Sequence, residues 1–325
     1  MATRSTALDQ VRQELWERPE FSFIPDRDLA TLTGEVQSGG GPRILFAGFP
    51  SDYSLAFLLA LLELDVAVVA LLTSPGAHPA ILNDNAMSRI ADHLGIPLLR
   101  AWRVNDEHTL IDLTALKLDG VVMASFDQIV GARALGVPAN GWMNVHPSAL
   151  PARRGPEPVY WTIADGDPIG GITLHRAVPK VDAGPILAQR TLEVAPDDTS
   201  GTLTRRLSEL GTAALRDAVA RQLAGDAGDP IDLSGATYAP SVGHRRLENA
   251  PSVEAALRWV RAGVPNMPAW ATIEGEIGYV RAAHAGHPAA GDRSLAFPDG
   301  AIVLDQVDPQ CGCHHNLVAC PHREE

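Results

Sequence analysis

Asn144, His146 and Asp182 are the residues of this chain whose types and spacing could build a small reaction centre. Trp142, Asn144 and His146 alternate with Met143 and Val145. On a strand, Asn144 and His146 therefore project from one face while Val145 points into the core. The strand is expected to stop at Pro147, which has no backbone donor to continue a ladder. Pro147, Pro151 and Pro156, with Arg153, Arg154 and Gly155 among them, predict a stiff irregular loop. A His at the carboxyl end of a strand, followed by such a loop, is where open α/β sheets place ligands. Asp182 falls in a Lys180–Gly184 turn after a further apolar strand.

These three types suit attack of an amine on a carbonyl. The tetrahedral oxyanion that forms can be stabilised by an amide N–H and an imidazolium. A carboxylate beside the imidazole would orient it, raise its pKa and accept a proton from the attacking nitrogen. No Ser or Cys nucleophile is needed. Taken singly, each residue also has a plainer role: Asn144 as a strand-end cap, His146 in a turn, Asp182 in an Asx turn.

A longer pattern surrounds the three. Asn144-Val145-His146-Pro147-Ser148-Ala149-Leu150-Pro151 is followed by Arg154-Gly155, Pro158, Trp161, Gly166-Asp167, Gly171-Ile172-Thr173-Leu174-His175 and Asp182-Ala183-Gly184. In order and spacing this resembles the folate-dependent formyltransferases, a family that includes methionyl-tRNA formyltransferase, glycinamide ribonucleotide formyltransferase, amino-sugar N-formyltransferases and 10-formyltetrahydrofolate hydrolases. The resemblance implies that Asn144, His146 and Asp182 are catalytic and that the co-substrate is 10-formyltetrahydrofolate. It also implies a donor site at Ser125, Phe126, Asp127, Gln128 and Ile129, together with Val181 and Gly184. Ala149 departs from the pattern, where Leu is commoner, and is expected to change packing alone. Asp127 would otherwise read as the N-cap of a helix over 127–135.

The elements that must position these residues are legible as an alternation. Strands are expected at 44–47, 66–72, 96–99, 120–125 and 142–145, and helices at 53–64, 83–94, 106–117 and 127–135. That order predicts an α/β fold with a doubly wound, mostly parallel sheet and right-handed crossovers. After Gly48 no G-x-G-x-x-G run follows, so a dinucleotide site is not expected. A long helix from 198–200 to about 225 should carry Leu203, Leu207, Leu210, Ala214 and Val219 on one face. His175 shares a face with Thr173 and reads as a packed histidine in preference to an acceptor-side one.

Residues 1–42 form an extension, with a short amphipathic helix at 7–16 and a Gly39–Pro42 joint; 43–225 form the catalytic domain and 226–250 a linker. Residues 251–310 read as a second, smaller β-rich domain, with a helix at 252–260 and strands at 270–273, 276–282, 294–296 and 301–307. The resemblance implies that this domain is barrel-like. The tail, 311–325, holds Cys311, Cys313 and Cys320 with His314, His315 and His322. Thiolates and imidazoles at short spacing raise a structural zinc held by Cys311, Cys313, Cys320 and His322, with a disordered tail as the alternative.

The net charge of −13 argues against a broad nucleic-acid surface. Residues 73–83 contain no Lys or Arg, although methionyl-tRNA formyltransferases typically carry a basic loop at this place. A small-molecule amine, of the amino-sugar or amino-acid type, is thus the expected acceptor, with methionyl-tRNA and water as alternatives. No apolar run reaches a membrane span and no signal-peptide core is visible, so a cytoplasmic enzyme is expected. Oligomeric state is left open.

Overall fold

A computed structural model describes residues 41–49, 51–74 and 86–309. The expected N-terminal helix, nearly all of the 73–83 loop and the Cys/His tail lie outside the described residues.

Five strands run parallel: β1 (Arg43–Gly48), β2 (Ala67–Thr73), β3 (Leu98–Arg100), β4 (Gly120–Ala124) and β5 (Trp142–His146). β6 (Ile169–Arg176) and β7 (Ile186–Glu193) extend the sheet antiparallel, in the order β3-β2-β1-β4-β5-β6-β7. The order turns back beside β1, so loops leaving β1 and β4 diverge and open a crevice at their carboxyl ends. Both sheet faces are covered. Ile44 and Phe46 join one core, and Leu45 and Ala47 the other. This is why β1 reads as a continuous apolar run.

The helices are α1 (Asp52–Leu62), α2 (Ala86–Leu94), α3 (Glu107–Ala115), α4 (Ala132–Leu135), α5 (Pro158–Asp165), α6 (Ser200–Leu223) and α7 (Val253–Gly263). Every residue of α1 is buried, because α6 lies over it on the side away from the sheet. A helix covered on all sides needs no polar stripe, and each fully buried Leu there contributes about 1.5–3 kcal/mol. Gly211 of α6 permits the close approach: a Cβ there would stand 2.5 Å from Ile172 and 2.8 Å from the Phe57 ring. Thr199 caps α6 in a reciprocal box with Thr202.

One expected helix is mostly absent. Residues 127–131 form a loop, and α4 is a single turn that begins at Ala132 with Gly131 as its N-cap, so Asp127 caps nothing. The reason is Gln128, whose amide donates to the carbonyl of Ala101 (2.6 Å) and to Ser74 Oγ (3.1 Å) and accepts from Val104 N–H (2.6 Å). These contacts hold the segment out in an extended path.

Beyond α6, residues 224–252 bond back to the first sheet's surroundings, with Ala239 N–H on Arg154 O (2.6 Å) and Trp161 Nε1–H on Pro240 O (2.8 Å). Arg245 then lies over the rings of Trp259 (4.2 Å) and Trp161 (4.8 Å). The C-terminal unit is α7 packed on β8 (Ala269–Ile273), β9 (Glu276–Ala285), β10 (Ser294–Phe297) and β11 (Gly300–Asp308). It is an antiparallel sheet in the order β10-β11-β9-β8.

Candidate active site

β5 and β6 pair antiparallel with Asn144 opposite His175 and His146 opposite Thr173. Met143, Val145, Ile172 and Leu174 occupy the other face and are buried in the core. Alternation on two paired strands thus gathers four polar side chains on one face. Thr173 is fully buried and fixes the loop after β5, donating to Ser148 O (2.7 Å) and accepting from Leu150 N–H (3.2 Å).

Asp182 reaches this face because the loop after β6 folds back over it. Its φ is +48°, a left-handed conformation that Asp tolerates. The loop closes where Arg176 N–H donates to Pro185 O (2.9 Å), and Gly184 passes so near that a Cβ would stand 1.8 Å from Arg176 O. Asp182 Oδ2 accepts Gly155 N–H at 2.9 Å and lies 3.7 Å from His146 Nδ1. Asp182 Oδ1 accepts from the Asn144 amide at 3.2 Å and is 3.5 Å from His175 Nε2.

The partners fix the tautomers and the amide orientation. A carboxylate accepts only, so the Asn144 group facing it is the NH₂. Its other hydrogen points to His175 Nε2, 3.3 Å away. His175 Nδ1 donates to Arg176 O (3.0 Å), leaving Nε2 to face Asn144. His146 Nε2 donates to Arg153 O (2.9 Å) and Nδ1 is left facing Asp182. The Arg153 backbone is itself held by its guanidinium, which grips Asp167 through two 2.8 Å bonds and Asp165 through a third of 2.5 Å. Arg154 donates to Val181 O. Both arginines are therefore structural.

Burial pulls the His146 imidazole below its ordinary value, and the opposing attraction of Asp182 does not restore it. The carboxylate does raise this pKa, as expected, but both groups are nearly water-free and desolvation of the cation outweighs the pairing. Burial works to raise the Asp182 carboxyl, but His175, the charge of His146 and the Gly155 N–H hold it down at about 2. At neutral pH the centre is a neutral imidazole beside a carboxylate.

Asn144, His146, His175 and Asp182 line one cavity of about 410 Å³. Ser125, Phe126, Asp127, Gln128, Ile129 and Val181 line it too. Gly184 does not: it is a packing position. The Gln128 side chain braces the loop through its bonds to Ser74, Ala101 and Val104. Tyr53 donates to Val145 O (3.1 Å) beneath the site, its phenol pushed well up by burial. His175, expected to be a packed histidine, and the Arg153 carbonyl, which the sequence does not mark, both bond to site residues. For His175 the signal was present, since it lies two residues after Thr173 on the polar face of β6. Among the described residues, no cluster of three or more His, Cys, Asp or Glu is arranged to hold a metal. No described helix is long and apolar enough to cross a membrane.

Residues 59–219 match the family model described as formyl transferase. The chain is 36% identical over 272 residues to a methionyl-tRNA formyltransferase of Acidothermus cellulolyticus, covering 81% of this chain and 84% of that one. In fold it is similar to an N-formyltransferase of Helicobacter canadensis (TM-score 0.62, 15% identity, 82% of this chain and 100% of that one). HypX of Aquifex aeolicus is similar as well (TM-score 0.61, 17% identity), with 82% of this chain matching 44% of that longer protein. With 36% identity over 81% of this chain and 84% of the Acidothermus enzyme, this chain belongs to the formyl transferase family and is an enzyme of formyl transfer.

Proposed function

We propose that the protein transfers the formyl group of 10-formyltetrahydrofolate to a primary amine of a small molecule, with Asn144, His146 and Asp182 as catalytic residues. The observation that carries this reading is the convergence of a neutral imidazole, a carboxylate and an oriented amide on one wall of a 410 Å³ cavity. The cavity's apolar rim, with Met123, Phe126, Ile129 and Val178, suits a flat heterocycle. The Aquifex protein was solved with tetrahydrofolic acid, and the Helicobacter enzyme with folinic acid and dTDP-3-aminofucose, which favours a folate donor here.

In this reading the donor lies along Ser125–Ile129 and Val181 with its formyl carbon against β5. The acceptor attacks as the free amine. A C–N bond forms, the carbonyl π pair moves to oxygen, and one amine proton passes to His146 at Nδ1. The imidazolium so formed pairs with Asp182 and stabilises the oxyanion. Collapse breaks the bond to N10, and the same proton goes to N10, giving the formamide and tetrahydrofolate. Both amide hydrogens of Asn144 are engaged in the resting site, and among the described residues no donor reaches its Oδ1. Asn144 therefore acts first as an acceptor that aims an amine N–H, and as an oxyanion donor once the Asp182 bond is released.

A second reading, methionyl-tRNA as acceptor, is favoured by the curated relatives. The net charge of −13 and the absence of Lys and Arg from residues 73–83 weigh against it. One assay separates these readings: 10-formyltetrahydrofolate is supplied with amino sugars, amino acids or charged tRNA, and formamide, formate and tetrahydrofolate are quantified. Transfer to methionyl-tRNA that falls steeply with salt would select the second reading. Formate released equally without any amine would make water the acceptor. Failure to form tetrahydrofolate under any condition refutes formyl transfer.

A further inference from the structure

A second cavity, of about 430 Å³, adjoins the catalytic one and shares with it a wall that includes Tyr53, Phe126, Pro147 and Pro156. Its far side is built from the start of α6 at Ser200 and Thr204, and from the end of α7 with Pro265 and Asn266. It is thus a cleft between the two sheets' units, where small-ligand sites commonly form.

Its charged lining is of one sign. Asp52, Asp127 and Glu157 face it, and no Lys, Arg or His does among the described residues. Glu157 is the informative one. It lies just before α5 but makes no side-chain cap bond there. Among the described residues its carboxylate forms no hydrogen bond or ion pair. It borders this second cavity and not the catalytic one. Glu157 is half-buried, and a carboxylate partly withdrawn from water without a partner is unfavourable, which marks it as a group poised for a cation. Burial pushes this carboxyl up to about 7, a further mark of a missing counter-charge.

We infer that this cavity is the acceptor chamber and that Glu157 selects an acceptor carrying, besides the amine to be formylated, a second cationic amine and no phosphate. The inference rests on the formyl-transfer reading above and adds to it the class of acceptor. Glu157 is two residues beyond Gly155, whose N–H holds Asp182. A diamine with one nitrogen at Glu157 would have the other directed past Pro147 and Pro156, which line both cavities. Ser51, Thr204 and Asn266 add polar groups to the lining that hydroxyls could meet. A phosphate in the same place would meet three carboxyls and no cation among the described lining residues.

The test uses the full chain with 10-formyltetrahydrofolate and three probes: 2-deoxystreptamine, which has two amines, glucosamine, which has one, and glucosamine 6-phosphate. The wild type should prefer the diamine by kcat/KM and rank the phosphate last. Glu157→Gln should raise KM for 2-deoxystreptamine about tenfold or more, since an ammonium–carboxylate bond is lost, and shift glucosamine far less. Glu157→Lys should invert the ranking toward glucosamine 6-phosphate. Thermal shift by 2-deoxystreptamine alone, seen with wild type and lost in Glu157→Gln, gives a readout independent of turnover. A wild type that formylates glucosamine 6-phosphate or methionyl-tRNA in preference to the diamine overturns the inference and leaves formyl transfer standing. So does an unchanged diamine KM in Glu157→Gln. No tetrahydrofolate with any acceptor overturns both.

Discussion

Asn144 and His175 stand directly opposite each other on β5 and β6, and the Asn144 amide nitrogen is 3.3 Å from His175 Nε2. This pairing sets which way the Asn144 amide points. With one hydrogen on His175 and the other on Asp182, the carbonyl oxygen is the end left for an incoming amine.

His175 is therefore a positioning residue, and its loss should act on turnover more than on binding. His175→Ala is expected to lower kcat by about 10–100-fold, because a misaimed amide forfeits part of the orientation gain. KM for the donor should change little. Rescue by His175→Gln, whose carbonyl can accept from Asn144, would separate this role from one of filling space. Equal kcat for His175→Ala and wild type would refute it.

The acid limb of activity reports His146. Its imidazole lies below the ordinary value of about 6.5 because burial disfavours the cation. Catalysis that needs the neutral ring should thus persist as pH falls through 6.5 and be lost at lower pH. Asp182→Asn removes the attraction that partly offsets burial, so the His146 titration should move lower still. NMR of the imidazole carbons read across pH checks both signs. A midpoint above 6.5 in the wild type would contradict the buried, neutral assignment.

Glu157 should lower the stability of the fold. Its carboxyl titrates at about 7 when folded and near 4.3 when unfolded, with Asp52, Asp127 and Tyr160 as its cavity neighbours and no cation among the described lining residues. The folded state resists ionisation, so the penalty grows between these values and is complete above them. Glu157→Gln should be more stable than wild type at pH 8, by about 2 kcal/mol after allowance for partial exposure, and equal to it at pH 4. Urea unfolding at the two pH values measures the difference.

Gly184 tests the loop that delivers Asp182. An added Cβ would overlap Arg176 O at 1.8 Å, which the backbone can relieve only by moving. Gly184→Ala should destabilise by about 1–3 kcal/mol. It should also lower kcat, since Asp182 lies two residues before the displaced point. Wild-type kcat with a normal melting temperature would show that the loop is not so constrained.

Much of this was readable from local pattern. Period-two alternation gave β5 its polar face, Pro147 ended it, and the apolar strands between helices gave the doubly wound sheet. These follow from backbone geometry within a few residues, so no knowledge of distant contacts was needed. The motif running from Asn144 to Gly184 carried the family. The helix expected from Asp127 failed because Gln128 is held by Ser74, Ala101 and Val104, partners at least 24 positions away. Gly184, read as a ligand residue, proved to be a point of close packing against Arg176.

Tertiary structure decided the rest. It brought His175 across from β6, aimed the Asn144 amide, and left Glu157 facing a cavity without a counter-charge. It also set the balance at His146, whose pKa is lowered by burial although Asp182 raises it. A carboxylate nearby is visible in a sequence, but the loss of water around both groups is a property of the whole packed chain, and here desolvation is the larger effect.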